Sequence, residues 1–353
     1  MEQTDQTLTD FLLDPRNYPE RTRAVSHVET HISHVFIGDR FVYKVKKAVN
    51  FGFLDFSTLK KRRFFCEQEV VLNSRLAKDI YLGVQPFYRS HAGFSFARKG
   101  RGLPVEYAVR MKRIPLERLL FKLIGEGRPL YGSLEDVGRT LARFHEDIVP
   151  YRGRGFGGVE SIGAATEENF EQIRPFTALT VGRKTLASIA RYTRAFIVDH
   201  RARFAERRRK GFIREGHGDL HCQHVCLEHP PVIFDCIEFN RGFRVIDILE
   251  DIAFLFMDLE YRGRFDLSAR LHKAYFAHQP KALDEELLRF YKVYRAVVRG
   301  KVEGFAARGV EDRSQREGAV ARARDYFGLA DHYINHFQKP FNPVVFMGLS
   351  GSG

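Results

Sequence analysis

The spacing of hydrophobic positions changes character near residue 113. Before that point, short apolar runs alternate with polar residues: residues 35–37 and 41–46 flank a Gly-Asp pair and predict a β-hairpin, and residues 105–111 predict another strand. Beyond it, apolar residues recur at helical spacing. The change predicts an α+β fold with a small, β-rich N-lobe at residues 1–113 and a larger, mainly helical C-lobe at residues 114–340.

Four long helices follow from this periodicity and from capping residues. The run Asp55-Phe56-Ser57-Thr58 is placed to cap one of them and Ser133 another, and Gly211 is placed to end the third. Asp247 and Asp251 stand at the start of the fourth, where a carboxylate stabilises the positive end of the helix dipole, so a structural role is favoured for both. The helices are predicted at residues 58–77, 133–148, 183–210 and 248–260.

Two aspartates mark the chemistry of the chain. Asp219 lies in the segment His-Gly-Asp-Leu-His, and Asp235 follows a short apolar run. Residues 225–227 and 232–234 predict a hairpin, because both runs are apolar and the Pro-Pro between them cannot continue a strand ladder. The hairpin brings the two carboxylates together. Phosphoryl transfer uses such a pair, one as a base for the attacking hydroxyl and one as a ligand for a divalent cation.

These segments resemble the catalytic and metal-binding loops of aminoglycoside phosphotransferase-like kinases. The resemblance implies a two-lobed, protein-kinase-like fold that uses ATP and Mg²⁺, with Asp219 as the general base and Asp235 as the magnesium ligand. The family has Asn where this chain has His224, which would be an altered second ligand. A hard cation such as Mg²⁺ prefers oxygen donors to an imidazole nitrogen.

A kinase also needs a lysine for the nucleotide phosphates and an acid that orients it. Lys44 and Lys46 lie on one face of a predicted strand, and Glu69 lies on the helix that follows. The resemblance implies that Lys44 binds phosphate and that Glu69 is its partner. Lys46 and Glu67 are close enough in sequence to exchange these roles.

Three further contacts with the nucleotide are expected. Thr30 and Ser33 occupy the place where such kinases fold a turn over the phosphates, although Ser and Thr before a strand are also common turn residues. Met111 ends the strand that leads into the predicted hinge, where the adenine is expected to lie. Glu238 could line the metal site or be an ordinary turn acid.

Two other functions remain open. A nucleotide-binding regulatory domain with little catalysis is suggested by His224. A zinc-binding domain is suggested by a dense group of nitrogen and sulfur ligands, although their spacing across a loop and a strand is unfavourable for four converging ligands. The group comprises His217, His221, Cys222, His224, Cys226 and Cys236.

Composition describes the setting of the protein. The chain has 353 residues, 44% of them hydrophobic, which is enough for sizeable cores. Four cysteines without a disulfide framework, a polar N-terminus and the absence of long apolar runs predict a cytoplasmic protein that does not enter a membrane. The net charge is +13, and residues 201–210 are strongly basic. We expect a solvated helix end there rather than a nucleic-acid site, because aromatic residues are almost absent.

The last residues suggest a further domain. Residues 341–347 predict a linker and a buried strand, and residues 348–353 supply the opening of a P-loop without its lysine. With this ending, the chain resembles the kinase-like half of bacterial bifunctional proteins that join such a domain to a P-loop ATPase or kinase. The resemblance implies a covalently linked C-terminal P-loop domain as partner and a small-molecule acceptor, whose identity does not follow from the sequence.

Overall fold

A computed structural model describes residues 7–91, 93–98 and 102–336. The chain divides into two compact units. One unit comprises the residues up to Gly157 together with Arg207–Leu283, and it contains every β-strand of the described residues. The other comprises Gly158–Glu206 and the residues from Asp284 onward, and its described part is helical. The predicted P-loop segment at residues 341–353 lies outside the described residues.

A six-stranded antiparallel sheet forms the N-terminal part of the first unit. The strands are β1 Ser26–Glu29, β2 Ser33–Ile37, β3 Phe41–Lys46, β4 Tyr81–Ser90, β5 Gly93–Ser95 and β6 Pro104–Lys112. Their order in the sheet is β1-β2-β3-β6-β4-β5. The predicted hairpin is confirmed as β2 and β3, in which Val35 is opposite Lys44 and Ser33 is opposite Lys46.

Two short strand pairs complete the β-structure of the described residues. The first is β7 Ile213–Glu215 with β10 Val245–Asp247, and the second is the predicted hairpin of β8 Val225–Cys226 with β9 Val232–Ile233. Both pairs belong to the first unit, where they support the loops that carry Asp219 and Asp235.

Helices make up most of the remaining described chain. In the first unit, α2 packs against β4 and β6, and α4 packs closely against α10, because Gly138 presents no side chain there. In the second unit, α11 and α12 are joined by three residues and pack along each other. The helices are α1 Leu8–Leu13, α2 Leu59–Asn73, α3 Leu120–Gly125, α4 Tyr131–Asp147, α5 Val159–Ile173, α6 Thr177–Thr180, α7 Arg183–Asp199, α8 Arg201–Arg209, α9 Ile248–Tyr261, α10 Phe265–His278, α11 Glu285–Gly309 and α12 Arg313–Asn335.

Two predicted helix ends are wrong. Thr58 caps α2 as expected, but the helix ends at Asn73 and not near Ala77, because side chains of the next two residues take the carbonyls of its last turn. Helix α4 begins at Tyr131, before Ser133, since the N–H of Leu134 already donates to the carbonyl of Leu130. Ser133 therefore lies inside the helix.

The long helix predicted from Arg183 is broken at His200. The N–H and the ring Nδ1 of His200 both lie 3.0 Å from the carbonyl oxygen of Phe196, and the two rings stack at 4.0 Å. These contacts end α7, and α8 begins at the next residue. The expected solvated basic end is also wrong for Arg207, which is buried and paired with Asp247.

The fold class is α+β, as predicted. Among the described residues, no helix combines the length and the apolar character that are needed to cross a membrane.

Candidate active site

Lys44 links the sheet to both of its acidic neighbours. Its Nζ lies 2.9 Å from Oε1 of Glu69 on α2 and 2.7 Å from Oδ1 of Asp235, which follows β9. Burial opposes the charge of Lys44, but the carboxylates of Asp235 and Glu69 outweigh it and raise the pKa of the lysine well above its ordinary value. The ammonium therefore stays charged and is held between the two carboxylates.

Lys46 forms a second ion pair on the same face of β3. Its Nζ lies 2.5 Å from Oε2 of Glu69, it contacts the carboxylate of Glu238, and it lies 4.9 Å from the ring centre of Phe56. Lys46 and Glu69 are fully buried, and Glu238 is nearly so. Burial and, to a smaller extent, the nearby carboxylate of Glu69 raise the pKa of Glu238, although the Lys46 ammonium opposes them. Glu238 is thus a buried ion-pair partner of Lys46 and not a surface turn acid.

From the sequence, either Lys44 or Lys46 could be the phosphate-binding lysine, and either Glu69 or Glu67 its partner. Glu67 pairs with Arg63 one turn earlier on α2, and that pair is exposed. Lys44 forms an ion pair with Asp235, whereas Lys46 forms ion pairs with Glu69 and Glu238. The geometry thus brings Lys44, Glu69 and Asp235 together, and it places Lys46 behind them.

Asp235 has an unusual backbone conformation. Its φ of 62° is in the left-handed region, which few residues other than glycine adopt, although aspartate tolerates it better than most. The N–H of Asp235 donates to the hydroxyl of Tyr81, and the N–H of Cys236 donates to Oδ1 of Asn73 at the end of α2. These contacts hold the strained turn, and they direct the carboxylate toward Lys44.

The loop that carries Asp219 is braced by the buried carboxylate of Asp251. Its two oxygens accept hydrogen bonds from the N–H groups of His217, at 2.7 Å, and Gly218, at 2.8 Å, and also from Nε2 of His145, at 3.0 Å. Gly218 has a φ of 85°, so a side chain there would be strained. Asp247 caps α9 as predicted by accepting from the N–H of Leu249. Asp251 does not cap its own helix and braces the loop instead, so its role is structural, as predicted.

Asp219 has two histidines as neighbours. One of its carboxylate oxygens, Oδ2, lies 3.4 Å from Nε2 of His221 and 3.5 Å from Nδ1 of His224. On the other side of the His224 ring, Nε2 lies 3.5 Å from Oδ2 of Asp235. His224 therefore stands between the two predicted catalytic carboxylates. The ligand atoms of Asp219, His221 and His224 lie within 4.8 Å of one another, a grouping that could hold a metal ion.

Thr30 and Ser33 form the turn between β1 and β2. The hydroxyl of Thr30 accepts from the N–H of Ser33 at 2.9 Å and donates to its carbonyl, so its contacts are those of a turn residue. The hydroxyl of Ser33 is fully buried and makes no hydrogen bond among the described residues. Ser33 lies directly across the strand pair from Lys46.

Met111 is partly buried and packs against one face of the sheet. It pairs with Val42 and Tyr81 in the sheet and contributes to a small apolar cluster around Cys66. A cavity of about 500 Å³ lies at the junction that follows β6, and Met111 is not among its lining residues. The lining comprises Asp39, Arg40, Phe41, Lys112, Arg113, Ile114, Pro115, Leu116 and Glu117.

The cysteines do not join the histidines of this region. Cys222, Cys226 and Cys236 are buried and free, and burial is the first cause of the raised pKa of each thiol, to about 12 for Cys226 and Cys236. His217 is also buried; burial lowers its pKa to about 4, and its Nε2 lies 2.9 Å from the carbonyl of Phe234. Among the described residues, the group that could hold a metal contains none of these four side chains.

Three supporting residues were missed from the sequence. Tyr81 and Asn73 hold the Asp235 turn, and His145 contacts Asp251 through Nε2 and Tyr275 through Nδ1. His145 stands on the apolar side of α4, where a histidine among core residues was a usable signal. Tyr81 and Asn73 carried no such signal, because each acts on a segment more than 150 residues away.

Comparison with known proteins gives sequence relatives without an assigned activity. An uncharacterised protein of Mycobacterium tuberculosis is 34% identical over 312 residues, which are 87% of this chain and 59% of that protein. An uncharacterised protein of Mycobacterium bovis matches to the same extent. The chain thus spans about three fifths of the length of these relatives. No protein-family model matches it.

Solved structures identify the fold. A choline kinase from Cryptosporidium parvum aligns over 91% of this chain and 94% of its own length, with a TM-score of 0.51 and 12% identity. An aminoglycoside phosphotransferase aligns over 87% of this chain and 95% of its own length, with a lower TM-score of 0.48 and 13% identity. The predicted fold is confirmed: the chain has the two-lobed, protein-kinase-like α+β fold.

Proposed function

We propose that this protein is an ATP-dependent phosphotransferase that transfers the γ-phosphate to a hydroxyl group of a small molecule. The observation that carries the proposal is the arrangement around His224. Asp235 lies beside Nε2 of the ring and pairs with the Lys44 ammonium, which also pairs with Glu69. The partly exposed carboxylate of Asp219 lies beside Nδ1, on the other side of the ring. A cation for phosphate, a metal ligand and a base are thereby available within one group of side chains.

Asp219 is proposed as the general base. Its side chain is 34% exposed, so an acceptor hydroxyl can reach it, whereas the Asp235 carboxylate is engaged by Lys44. Asp251 fixes the backbone on the N-terminal side of Asp219 through two hydrogen bonds. The carboxylate is therefore held in place to accept the proton of the hydroxyl as its oxygen attacks phosphorus.

Lys44 is proposed to bind the nucleotide phosphates, with Glu69 holding its side chain in place. Because Glu69 also pairs with the buried Lys46, its orientation does not depend on Lys44 alone. The buried hydroxyl of Ser33 is a candidate donor to a phosphate oxygen, and Thr30 shapes the turn that would cover it. For Met111, packing under the sheet favours a supporting role near the adenine.

The side chains fit a divalent cation. Asp235 uses Oδ1 for Lys44, which leaves Oδ2 for a metal ion such as Mg²⁺, and Nε2 of His224 lies 3.5 Å from that oxygen. A bound divalent ion would neutralise the charge that develops on the transferred phosphate. Lys44 would share that task, since its raised pKa keeps it charged at neutral pH.

We further propose that the chain is the kinase-like part of a longer protein. Its sequence relatives are longer, since the matched residues make up 59% of them. The strand and glycine-rich run predicted at residues 341–353 would then lead into a P-loop domain, which would be the covalently linked partner. The acceptor is proposed to be a small molecule bearing a hydroxyl group.

His224 also supports a second candidate, a nucleotide-binding regulatory domain with little catalysis. The imidazole stands between Asp219 and Asp235, where it could hold both carboxylates in an unproductive arrangement. Both candidates predict nucleotide binding, and they differ in turnover.

The test is a screen for ADP release with a panel of hydroxyl-bearing metabolites, combined with calorimetry of ATP binding in the presence of Mg²⁺. For a catalytic base, Asp219→Asn is expected to lower kcat about 10²- to 10⁴-fold with ATP affinity nearly unchanged. Asp136→Asn, in an exposed pair with Arg139, is the matched control and should retain full activity. Equal turnover by wild type and Asp219→Asn would reject the base assignment. Tight ATP binding without turnover on any acceptor would favour the regulatory function.

A further inference from the structure

The hydrogen bonds of His224 fix which of its ring nitrogens can bind a metal. Nδ1 lies 2.8 Å from the backbone carbonyl oxygen of Asp219, which can only accept, so Nδ1 carries a hydrogen and donates it. In the neutral ring, Nε2 then has a free lone pair. That lone pair lies 3.5 Å from Oδ2 of Asp235.

A lone pair and a carboxylate oxygen that face each other repel unless a positive species lies between them. Two neighbouring ligands of one ion, each about 2.0–2.2 Å from it, are about 2.8–3.1 Å apart in octahedral and about 3.3–3.6 Å apart in tetrahedral coordination. The separation of His224 Nε2 from Asp235 Oδ2 is 3.5 Å, which matches the tetrahedral value and exceeds the octahedral value typical of Mg²⁺. Because Lys44 occupies Oδ1 of Asp235, Oδ2 is the oxygen that remains for an ion.

The ion would bind on one side of the His224 ring. His221 and Asp219 lie on the Nδ1 side, where Nε2 of His221 lies 3.4 Å from Oδ2 of Asp219 and Nδ1 of His221 accepts from the N–H of Gln223. The side chain of His224 is 14% exposed, so its ring is largely withdrawn from water. The protein ligands beside Lys44 are therefore Nε2 of His224 and Oδ2 of Asp235.

We propose that this group selects a first-row transition-metal ion over Mg²⁺, with Zn²⁺ and Co²⁺ bound more tightly than Mn²⁺, through Nε2 of His224 and Oδ2 of Asp235. An imidazole nitrogen raises the affinity for such ions, whereas Mg²⁺ takes oxygen ligands and loses its water reluctantly. The inference rests on the proposed function only in placing the ion beside the transferred phosphate. The preference itself follows from the side chains and would hold for the metal ion alone.

The experiment uses Mn²⁺ alone, added to the chelator-treated full chain. Pulsed electron paramagnetic resonance reports ¹⁴N coupling when an imidazole nitrogen is bound to Mn²⁺, and titration with competing Mg²⁺ gives the preference. The test variant is His224→Asn, because asparagine retains a side-chain N–H for the Asp219 carbonyl but offers an oxygen to the ion. His91→Asn, at an exposed position outside the site, is the matched control.

Wild type and His91→Asn are expected to show ¹⁴N coupling and to bind Mn²⁺ more tightly than Mg²⁺. Loss of an outer-shell partner alone lowers metal affinity about 10- to 100-fold, so His224→Asn should lower Mn²⁺ affinity by at least about 10-fold and abolish the coupling. Coupling that persists in a folded His224→Asn protein would overturn the assignment to His224.

The wild type alone also decides the question if the variant fails to fold. Mn²⁺ bound without ¹⁴N coupling, or a preference for Mg²⁺, would overturn the inference. Weak binding of both ions would overturn it too, and would indicate that Nε2 of His224 carries a proton and donates it to Asp235 instead of binding a metal ion. None of these results affects the proposed phosphotransfer, which is judged by ADP release. Conversely, a nitrogen-bound Mn²⁺ in a protein without turnover would leave the metal site intact and remove the proposed function.

Discussion

Asp251 holds the loop that carries Asp219 to the helical part of the first unit. Its replacement by asparagine tests that role with little change of shape. Oδ1 of Asp251 accepts from the N–H of Gly218, and Oδ2 accepts from the N–H of His217 and from Nε2 of His145. Whichever way the amide of Asp251→Asn is turned, its NH₂ group faces at least one N–H that now donates to the carboxylate. Asp251 is completely buried, so water cannot replace the lost acceptor.

The expected cost follows from these three hydrogen bonds. A buried donor without an acceptor costs about 1–3 kcal/mol, and a bond to a charged group is worth about 1 kcal/mol more than a bond to a neutral one. We therefore expect Asp251→Asn to lower the free energy of unfolding by about 3–5 kcal/mol. That is a large share of the roughly 5–15 kcal/mol that stabilises a typical domain.

The pH dependence of this cost has a definite sign. Burial opposes ionisation, but hydrogen bonding and the proximity of His145 and His217 outweigh it and hold the pKa of Asp251 well below its ordinary value. A carboxylate whose pKa is lower in the folded state stabilises the fold above its unfolded pKa of about 3.9, and this stabilisation is lost as the pH falls below that value. The difference between wild type and Asp251→Asn should be constant from pH 7 to about pH 5 and should shrink toward pH 3.

Urea unfolding followed by far-UV circular dichroism is the suitable assay, because the chain contains no tryptophan. The two compact units can unfold in separate transitions, so the midpoint of each transition is compared between proteins. Asp136→Asn, in an exposed pair on α4, serves as the control and should change stability by no more than about 1 kcal/mol. A midpoint for Asp251→Asn equal to that of the control, or a difference that stays constant down to pH 3, would refute the bracing role.

Two more substitutions probe the same unit by urea unfolding. Gly218→Ala would place its Cβ 2.7 Å from the carbonyl oxygen of Phe243 at a φ of +85°, so the free energy of unfolding should fall by about 1–3 kcal/mol. The control is Gly132→Ala in α4, where the added Cβ meets no neighbour and the change should be neutral or stabilising. Equal unfolding midpoints for the two variants would contradict backbone strain at Gly218. Lys46→Met removes the cation that pairs with the buried Glu238 and one of the two cations that pair with Glu69, so it should cost about 3–5 kcal/mol. Adding Glu238→Gln should recover part of that loss, and strictly additive effects would disprove the coupling.

Local pattern was sufficient to predict the parts of the site that lie on regular elements. Alternation along residues 41–46 correctly placed Lys44 and Lys46 on one strand face, and helical spacing with Asp247 as cap gave α9 nearly complete. The apolar runs around the Pro-Pro pair gave the hairpin that supports Asp235. In each case, neighbours within a few residues determine the structure.

The partners of those side chains could not be predicted in the same way. Lys46 contacts Glu238 across 192 positions, and His145 contacts Asp251 across 106. No local spacing relates such residues, so a turn acid and a buried ion-pair partner have the same appearance in sequence at Glu238. The break at His200 has a different origin, because the ring nitrogen shares the Phe196 carbonyl with the backbone N–H of His200, and helical periodicity does not report such a local side-chain contact.

The ion pairs around β3 also explain why the lysine geometry can exist before any ligand binds. Asp235, Lys44, Glu69, Lys46 and Glu238 follow one another as alternating charges, so each cation has two acidic neighbours. Three carboxylates and two ammonium groups carry a formal charge of −1. Glu238, at the buried end of the series, has a pKa raised by burial. The other end, Asp235, has a lowered pKa and a carboxylate that is 40% exposed. The uncompensated negative charge is therefore directed to the one carboxylate that a cation from solution can reach, which is the condition for binding a metal ion beside an oriented lysine.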